Sequence, residues 1–305
     1  MEENANHFKI KIMFKSHPNQ LLGCFIGGMI GDAVGGIFEN NVPNNQGDIA
    51  LTHAHWQTTD DTQLTLATLE SMVAQQGVFP AKIAQRFLKW FQQKRLVGLG
   101  SATLQALQGL QVGGHWALVG RSGEFAAGNG AAMRIAPLAF VLDPGLDRTL
   151  IKDVCNITHK NDEAYVGALV VLLAIHVLVA DLWTDNDTWW NTLIQALPDT
   201  KVRDGLKLAK QFPDLSIELF AANFGNSGYV VETVPLALFA ASKVKDLGFE
   251  AMLQAIIRAG GDTDTIASIA GQVAGTWLGL DNLPQSLLAK AKEMQEYAMF
   301  TELLE

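Results

Sequence analysis

Only two cysteines, Cys24 and Cys155, occur in the 305 residues. That scarcity excludes a disulfide framework and any four-cysteine zinc site. It fits a reducing compartment, so we expect a cytoplasmic protein. Basic residues are also few: 22 Lys and Arg stand against 31 Asp and Glu, a formal charge of −9. Clustered Lys and Arg are what bind a phosphate backbone, so a nucleic acid is not expected as the main partner. No apolar run reaches the roughly 20 residues that a membrane span needs. The longest, 164–180, carries His176 and ends at Asp181, which suits a buried core helix better; no membrane partner is expected. Residues 1–18 begin acidic and lack a long apolar stretch, a poor secretory signal. They are expected to be an appendage, with 8–14 alternating like a short strand, ahead of a domain over 19–305. What the chain does have is 49% hydrophobic against 17% charged residues, enough for a large core.

Apolar residues recur at three- and four-residue spacing over 62–75, 81–94, 101–111, 164–179, 230–245, 265–280 and 284–304, which predicts helices there. Proline is scarce, nine in all, and Pro80, Pro284 and Pro213 sit where helices could begin. No Ser-, Pro- or Gly-rich linker divides the chain, and no repeat of 20–50 residues is present. The expected fold is all-α, a single-domain orthogonal helical bundle. A domain of this size needs no partner for its core, so a monomer is expected.

Two glycine series break the usual helix preferences. Gly23, Gly27, Gly31 and Gly35 recur every four residues, as do Gly271, Gly275 and Gly279. Glycine inside a helix costs roughly 1 kcal/mol relative to alanine, so these positions ask for a packing reason. Four-residue spacing puts each series on one face, where a second helix can approach closely. Each ridge lies beside an acidic motif, and tight packing could bring the motifs together.

The motifs are Thr58-Thr59-Asp60-Asp61-Thr62-Gln63 and Gly260-Gly261-Asp262-Thr263-Asp264-Thr265, each directly before a helical run. Either alone is explained by capping, since Thr and Asp are favoured N-caps and acids in a first turn complement the helix dipole. Together, Asp60, Asp61, Asp262 and Asp264 would gather four carboxylates that repel one another unless protons or cations compensate. An all-oxygen donor set with Thr59 and Thr265, and no Cys or His, suits Mg²⁺ or Mn²⁺. The donors suffice for two ions sharing a carboxylate, a dinuclear metal cleft.

Two further segments carry candidate chemistry. In Gly31-Asp32-Ala33-Val34-Gly35-Gly36-Ile37-Phe38-Glu39 the glycine-ridged helix ends near a loop carboxylate, and Glu39 could act as a general acid or base or remain a solvated loop residue. Asp32, within the helix, is expected to serve a structural hydrogen bond. Ala127-Gly128-Asn129-Gly130-Ala131-Ala132-Met133-Arg134 reads as a small-residue loop opening a helix, able to offer N–H groups to a phosphate or simply to turn. Arg134 could serve packing, a carboxylate or a phosphate.

Taken in order, GDAVGGIFE, TTDDTQ, GNGAAMRIAP, ITH and GGDTDTIASIAGQVAGTWLG resemble the ADP-ribosylglycohydrolase family, from about 21 to 284. The resemblance implies an all-helical fold with two Mg²⁺ or Mn²⁺ ions in a cleft. It also implies hydrolysis of the glycosidic bond joining ADP-ribose to a protein side chain or another acceptor, a nucleic acid only as such an acceptor. By position it implies metal ligands at Thr59, Asp60, Asp61, Asp262, Asp264 and Thr265, with Asp61 and Asp264 essential to catalysis. Glu39 matches a flap glutamate of acid/base function. Gly128, Asn129, Gly130 and Met133 match the loop that holds ADP-ribose, His159 a position lining the nucleotide cleft, and Gly228 and Tyr229 a segment near the distal ribose and adenine.

The chain departs from the family pattern at Ala126 and Ala127, where Ser and an aromatic residue are common, so a hydroxyl and a stacking ring are missing there. Two other outcomes stay open: a hydrolase of another ribosyl compound, and a non-catalytic ADP-ribose-binding or crystallin-like relative. Trp183, Trp189 and Trp190 read either as packing under a loop or as an exposed contact patch.

Overall fold

Gly23, Gly27, Gly31 and Gly35 meet Gly275, Gly271, Ala267 and Thr263 in turn, so the two glycine series close on each other along one antiparallel seam. A Cβ on Gly31 would land on the carbonyl oxygen of Ala267, and one on Gly35 on that of Thr263. Backbone meets backbone here, which leaves no flexible side chain to give way.

The computed structural model describes residues 16–39, 49–52 and 55–304. The expected strand at 8–14 lies outside the described residues. Among them the elements are α1 (Pro18–Phe38), α2 (Asp60–Gln75), α3 (Pro80–Gln92), α4 (Ser101–Gln111), α5 (Trp116–Val119), α6 (Ala136–Ala139), α7 (Arg148–Asn156) and α8 (Asp162–Val179). They continue with α9 (Asn186–Ala196), α10 (Lys201–Gln211), α11 (Ile217–Phe224), α12 (Val230–Ser242), α13 (Val244–Leu247), α14 (Phe249–Ala259), α15 (Thr263–Leu278), α16 (Gln285–Ala291) and α17 (Gln295–Leu304). Two-residue strands β1 (Arg121–Ser122) and β2 (His159–Lys160) pair in parallel, Arg121 opposite His159. The fold is all-α, as expected.

Local chemistry sets several boundaries. Pro80 opens α3, where its missing N–H costs nothing. Asn161 caps α8, its side chain accepting from the amides of Glu163 and Ala164. Pro213 does not begin a helix: it lies in the turn between α10 and α11, and Ser216 caps α11 instead. The predicted C-terminal helix is broken into α16 and α17 at residues 292–294. Both α1 and α8 have the length and hydropathy of a membrane span, yet most of each is buried against the protein's own helices. Helix α8 is apolar on every face because α6, α7, α12 and α15 surround it. Trp189 and Trp190 are buried, and Trp183 stacks on Trp189 at 4.2 Å and contacts Trp277 at 3.5 Å, so the tryptophans are packing and not a contact patch.

Candidate functional site

The seam of α1 and α15 fixes one helix start at the end of another. Thr263 Oγ1 donates to the Gly35 carbonyl at 2.8 Å, which holds the first turn of α15, with Asp262 and Asp264, against the last turns of α1. From the middle of α1, the wholly buried Asp32 reaches α2. Its carboxylate accepts from the Thr59 amide at 3.0 Å, the Thr59 hydroxyl at 2.8 Å and the Thr62 amide at 3.1 Å. The two acidic motifs therefore converge: Thr265 Oγ1 donates to Asp61 Oδ2 at 3.2 Å.

Asp32, Asp60, Asp61, Asp262 and Asp264 form one crowd of carboxylates, four of them at least 90% hidden from solvent in the side-on packing of α1, α2 and α15. Oxygens of Asp32, Asp61 and Asp264 lie within 4.8 Å of one another, and so do those of Glu39, Asp262 and Asp264. Burial raises the Asp32 carboxyl to about 7, and burial with the neighbouring Asp264 raises Asp262 to about 8. Burial, then the surrounding aspartates, lift Asp60 and Asp61 well above the usual carboxylate range. Asp61 Oδ1 is buried with no hydrogen-bond partner among the described residues. The nearest buried cation, Arg134, turns its guanidinium to the Gly130 carbonyl and the Thr158 hydroxyl instead. Repelling carboxylates, an orphaned anionic oxygen and all-oxygen donors fit a hard divalent cation. Asp32 makes the structural hydrogen bonds expected of it from the sequence, and its carboxylate belongs to this group as well.

Above the acids opens a cleft of about 560 Å³, lined by Glu39, Asp60, Asp262, Asp264, Thr265, Gly128, Asn129, Gly130, Met133, His159 and Gly228. Asp61 is buried and, like Thr59, does not line the cleft, and Tyr229 lies in the adjoining pocket with Phe125 and Ala127. The GNG loop does not open an α-helix as expected. It makes a single 3₁₀ turn, Asn129–Ala131, and α6 begins only at Ala136. Pro137 lacks the N–H that would bind the Met133 carbonyl, and the Arg134 guanidinium occupies the Gly130 carbonyl, so no helix runs unbroken from the turn into α6. The Met133 carbonyl accepts instead from Gln272 Nε2 at 2.7 Å and Thr65 Oγ1 at 3.3 Å.

The loop is pinned on both sides. Asn129 N donates to the Gly228 carbonyl at 3.2 Å, and Val230 N donates to the Ala127 carbonyl at 3.0 Å. The Asn129 side-chain amide donates to Asp262 Oδ2 at 2.5 Å and to Thr233 Oγ1 at 3.1 Å, tying the loop to the acids. Glu39, the exposed residue that ends α1, has its carboxyl pKa raised by partial burial and then by Asp264.

Sequence reasoning missed Phe125, which is 82% exposed yet lines both the cleft and the adjoining pocket. It also missed the wall formed by Gly98, Gly100, Ser101 and Thr103. A Gly-Leu-Gly run directly before the predicted helix 101–111, with Ser101 at its start, was the available signal.

The site is thus a cleft in an all-helical bundle, with an acidic floor able to hold a cation beneath a glycine turn. A sequence model of the ADP-ribosylglycohydrolase family matches residues 15–305, and the chain belongs to that family. It is 25% identical to the ADP-ribosylhydrolase ARH3 of Gallus gallus, over 92% of this chain and 90% of that one. It is 28% identical to the ADP-ribosylarginine hydrolase Tri1 of Pseudomonas putida, over 90% of this chain and 75% of that one. Among solved structures, an ADP-ribosylglycohydrolase-related protein complex superposes with a TM-score of 0.74 at 25% identity, covering 95% of this chain and 98% of that one.

Proposed function

We propose that the protein hydrolyses the bond between ADP-ribose and a modified acceptor, a protein side chain being the expected class. The observation that carries this reading is the convergence on Asp61: two helix starts, 204 residues apart, share its carboxylate under a cleft walled by the Gly128–Gly130 turn. Membership of the family and the names of the relatives support the reaction class.

The residues that would hold the metal are Thr59, Asp60, Asp61, Asp262, Asp264 and Thr265, and their number suits two Mg²⁺ or Mn²⁺ ions. Such ions would orient the ribose hydroxyls and lower the pKa of bound water. The carboxylates of Asp60 and Asp262 line the cleft, where they would offset the ions' own charge and so lessen repulsion of the positive charge that develops as the glycosidic bond breaks. Glu39 overhangs the acids, with a carboxyl oxygen within 4.8 Å of those of Asp262 and Asp264, where a general acid or base can carry a proton. It can give that proton to the departing acceptor or take one from water. The Gly128–Gly130 turn, His159 and Gly228 bind the diphosphate and ribose. Phe125 supplies the flat apolar face that Ala127 does not, and the adenine stacks there.

Titration of ADP-ribose into the protein with Mg²⁺, then with excess EDTA, tests binding without choosing an acceptor. Metal-dependent binding followed by release of ADP-ribose from arginine-, serine- or base-linked substrates is the expected result. Asp264→Ala should abolish turnover; full activity in that variant would sink the scheme. Binding without release from any substrate would instead mark a non-catalytic ADP-ribose-binding relative.

A further inference from the structure

Behind the glycine turn, three side chains form a relay with no free choice of hydrogen positions. Arginine has donors only. Arg134, buried under the loop, gives Nη1 to the Gly130 carbonyl and Nη2 to Thr158 Oγ1, the latter at 2.7 Å. Thr158 is wholly buried, and among the described residues its hydroxyl has one other partner, His159 Nδ1 at 2.7 Å. Having accepted from arginine, the hydroxyl keeps one hydrogen to donate. Stranding that hydrogen in the interior would cost about 1–3 kcal/mol. It therefore goes to Nδ1, and a ring nitrogen that accepts is not protonated.

The opposite tautomer would make Thr158 accept twice and leave its own hydrogen without a partner. It would also turn a bare Nε2 lone pair toward the cleft, which repels phosphate and ribose oxygens. Nor is the doubly protonated ring favoured: burial, then Arg134 and Arg121, push the His159 pKa down to about 3. The Nε2 edge abuts the turn. A Cβ on Gly128 would stand 3.2 Å from Nε2, and one on Gly130 would stand 2.8 Å from Cε1. Nε2 makes no hydrogen bond among the described residues, and His159 lines the cleft.

We propose that Arg134 and Thr158 are positioning residues that lock His159 as the neutral Nε2–H tautomer, so that the cleft presents a fixed N–H donor beside the Gly128–Gly130 turn. The acceptor it fits is an oxygen of a phosphate or ribose, an identity that rests on the function proposed above; the tautomer itself does not.

The test is a long-range ¹H–¹⁵N correlation spectrum of the ¹⁵N-labelled full chain, with the His159 ring assigned by its loss in His159→Asn. Protonated Nε2 with bare Nδ1, in protein free of ligand at neutral pH, is expected. An Nδ1–H or imidazolium pattern would overturn the proposal. Thr158→Val, which removes the hydroxyl at nearly constant shape, should mix the tautomers and weaken ADP-ribose binding about tenfold, with Thr158→Ser restoring both. An unchanged tautomer and affinity in a folded Thr158→Val protein would also overturn it. Should Thr158→Val fail to fold, the wild-type spectrum still decides. If the wild type shows the Nε2–H pattern but no affinity for ADP-ribose, the nucleotide reading fails while the lock stands.

Discussion

Asp32 holds Thr59 by both its amide and its hydroxyl, across 27 residues of sequence and from one helix to the start of another. A helix start normally finds its cap on its own strand of chain. Here Thr59 caps α2 only weakly, accepting from Asp61 N at 3.4 Å, and the carboxylate of α1 takes the Thr59 and Thr62 amides. Because α1 is also fused to α15 along the glycine seam, the relative placement of the two acidic motifs is set by α1.

Replacing Asp32 removes that clamp. Asp32→Ala strands the Thr59 and Thr62 amides in a dry interior, and relief of carboxylate repulsion returns only part of the loss. We expect unfolding free energy to fall by about 2–4 kcal/mol. Urea denaturation measures it, and an unchanged midpoint at unchanged slope would show that Asp32 is not the clamp.

The crowded carboxylates also set a pH dependence. Asp32 titrates at about 7 and Asp262 at about 8 in the metal-free fold, against an ordinary value of 3.8, and Asp60 and Asp61 shift the same way. The folded state then binds more protons than the unfolded chain between these limits, so stability falls as pH rises from the unfolded value through about 8. In EDTA the melting temperature should therefore drop between about pH 5 and pH 8. Added Mg²⁺ should recover part of the loss at the upper end, since a ligand at 100 times its Kd stabilises by about 2.7 kcal/mol. A melting temperature that rises with pH in EDTA would mean that the carboxylates are not strained against one another.

What the sequence made legible was local grammar. Both acidic motifs are helix starts with Thr and Asp in capping positions, and the glycines repeat at a helical period, so α1, α2 and α15 could be read along with the likelihood that they meet. Hidden from view were the individual side-chain pairings between distant segments. Nothing near Asp32 in sequence points to Thr59, and nothing near Arg134 points to Thr158. Phe125 gained its position only when 127–129 paired with 228–230. Short helices escaped for a different reason. Helix α7 buries Ile151, Val154 and Cys155, and α10 buries Val202, Leu206 and Ala209, too few repeats for a period to emerge.

Two glycines five residues apart separate packing from chain flexibility. In Gly31→Ala the new methyl falls on the Ala267 backbone, and α1 and α15 must part at the level of the acids. A loss of about 1–3 kcal/mol or more, or failure to fold, is expected. In Gly36→Ala the methyl meets Thr59 Cγ2 at 3.5 Å and Asp264 Cβ at 3.9 Å, ordinary contacts. Its stability should hold or rise slightly, because alanine suits a helix better. Thermal melts of the two variants that match would remove the seam as the organiser of the site.

In the function proposed above, nucleotide recognition turns on Phe125. The residue is 82% exposed, so the fold gains little from it, and it lines the cleft where a base could lie against its ring. Stacking of a base on an aromatic ring is worth about 1–3 kcal/mol. Phe125→Ala should therefore leave the melting temperature unchanged and weaken ADP-ribose binding about 5- to 150-fold, whereas Phe125→Trp keeps the affinity. Ribose 5-phosphate, which has no base, should bind both variants as it binds the wild type. Equal losses for the two ligands would mean that the ring acts through the Gly128–Gly130 turn and not on the base. No loss for ADP-ribose would place the adenine away from Phe125, leaving Tyr229 in the adjoining pocket as the other ring in reach.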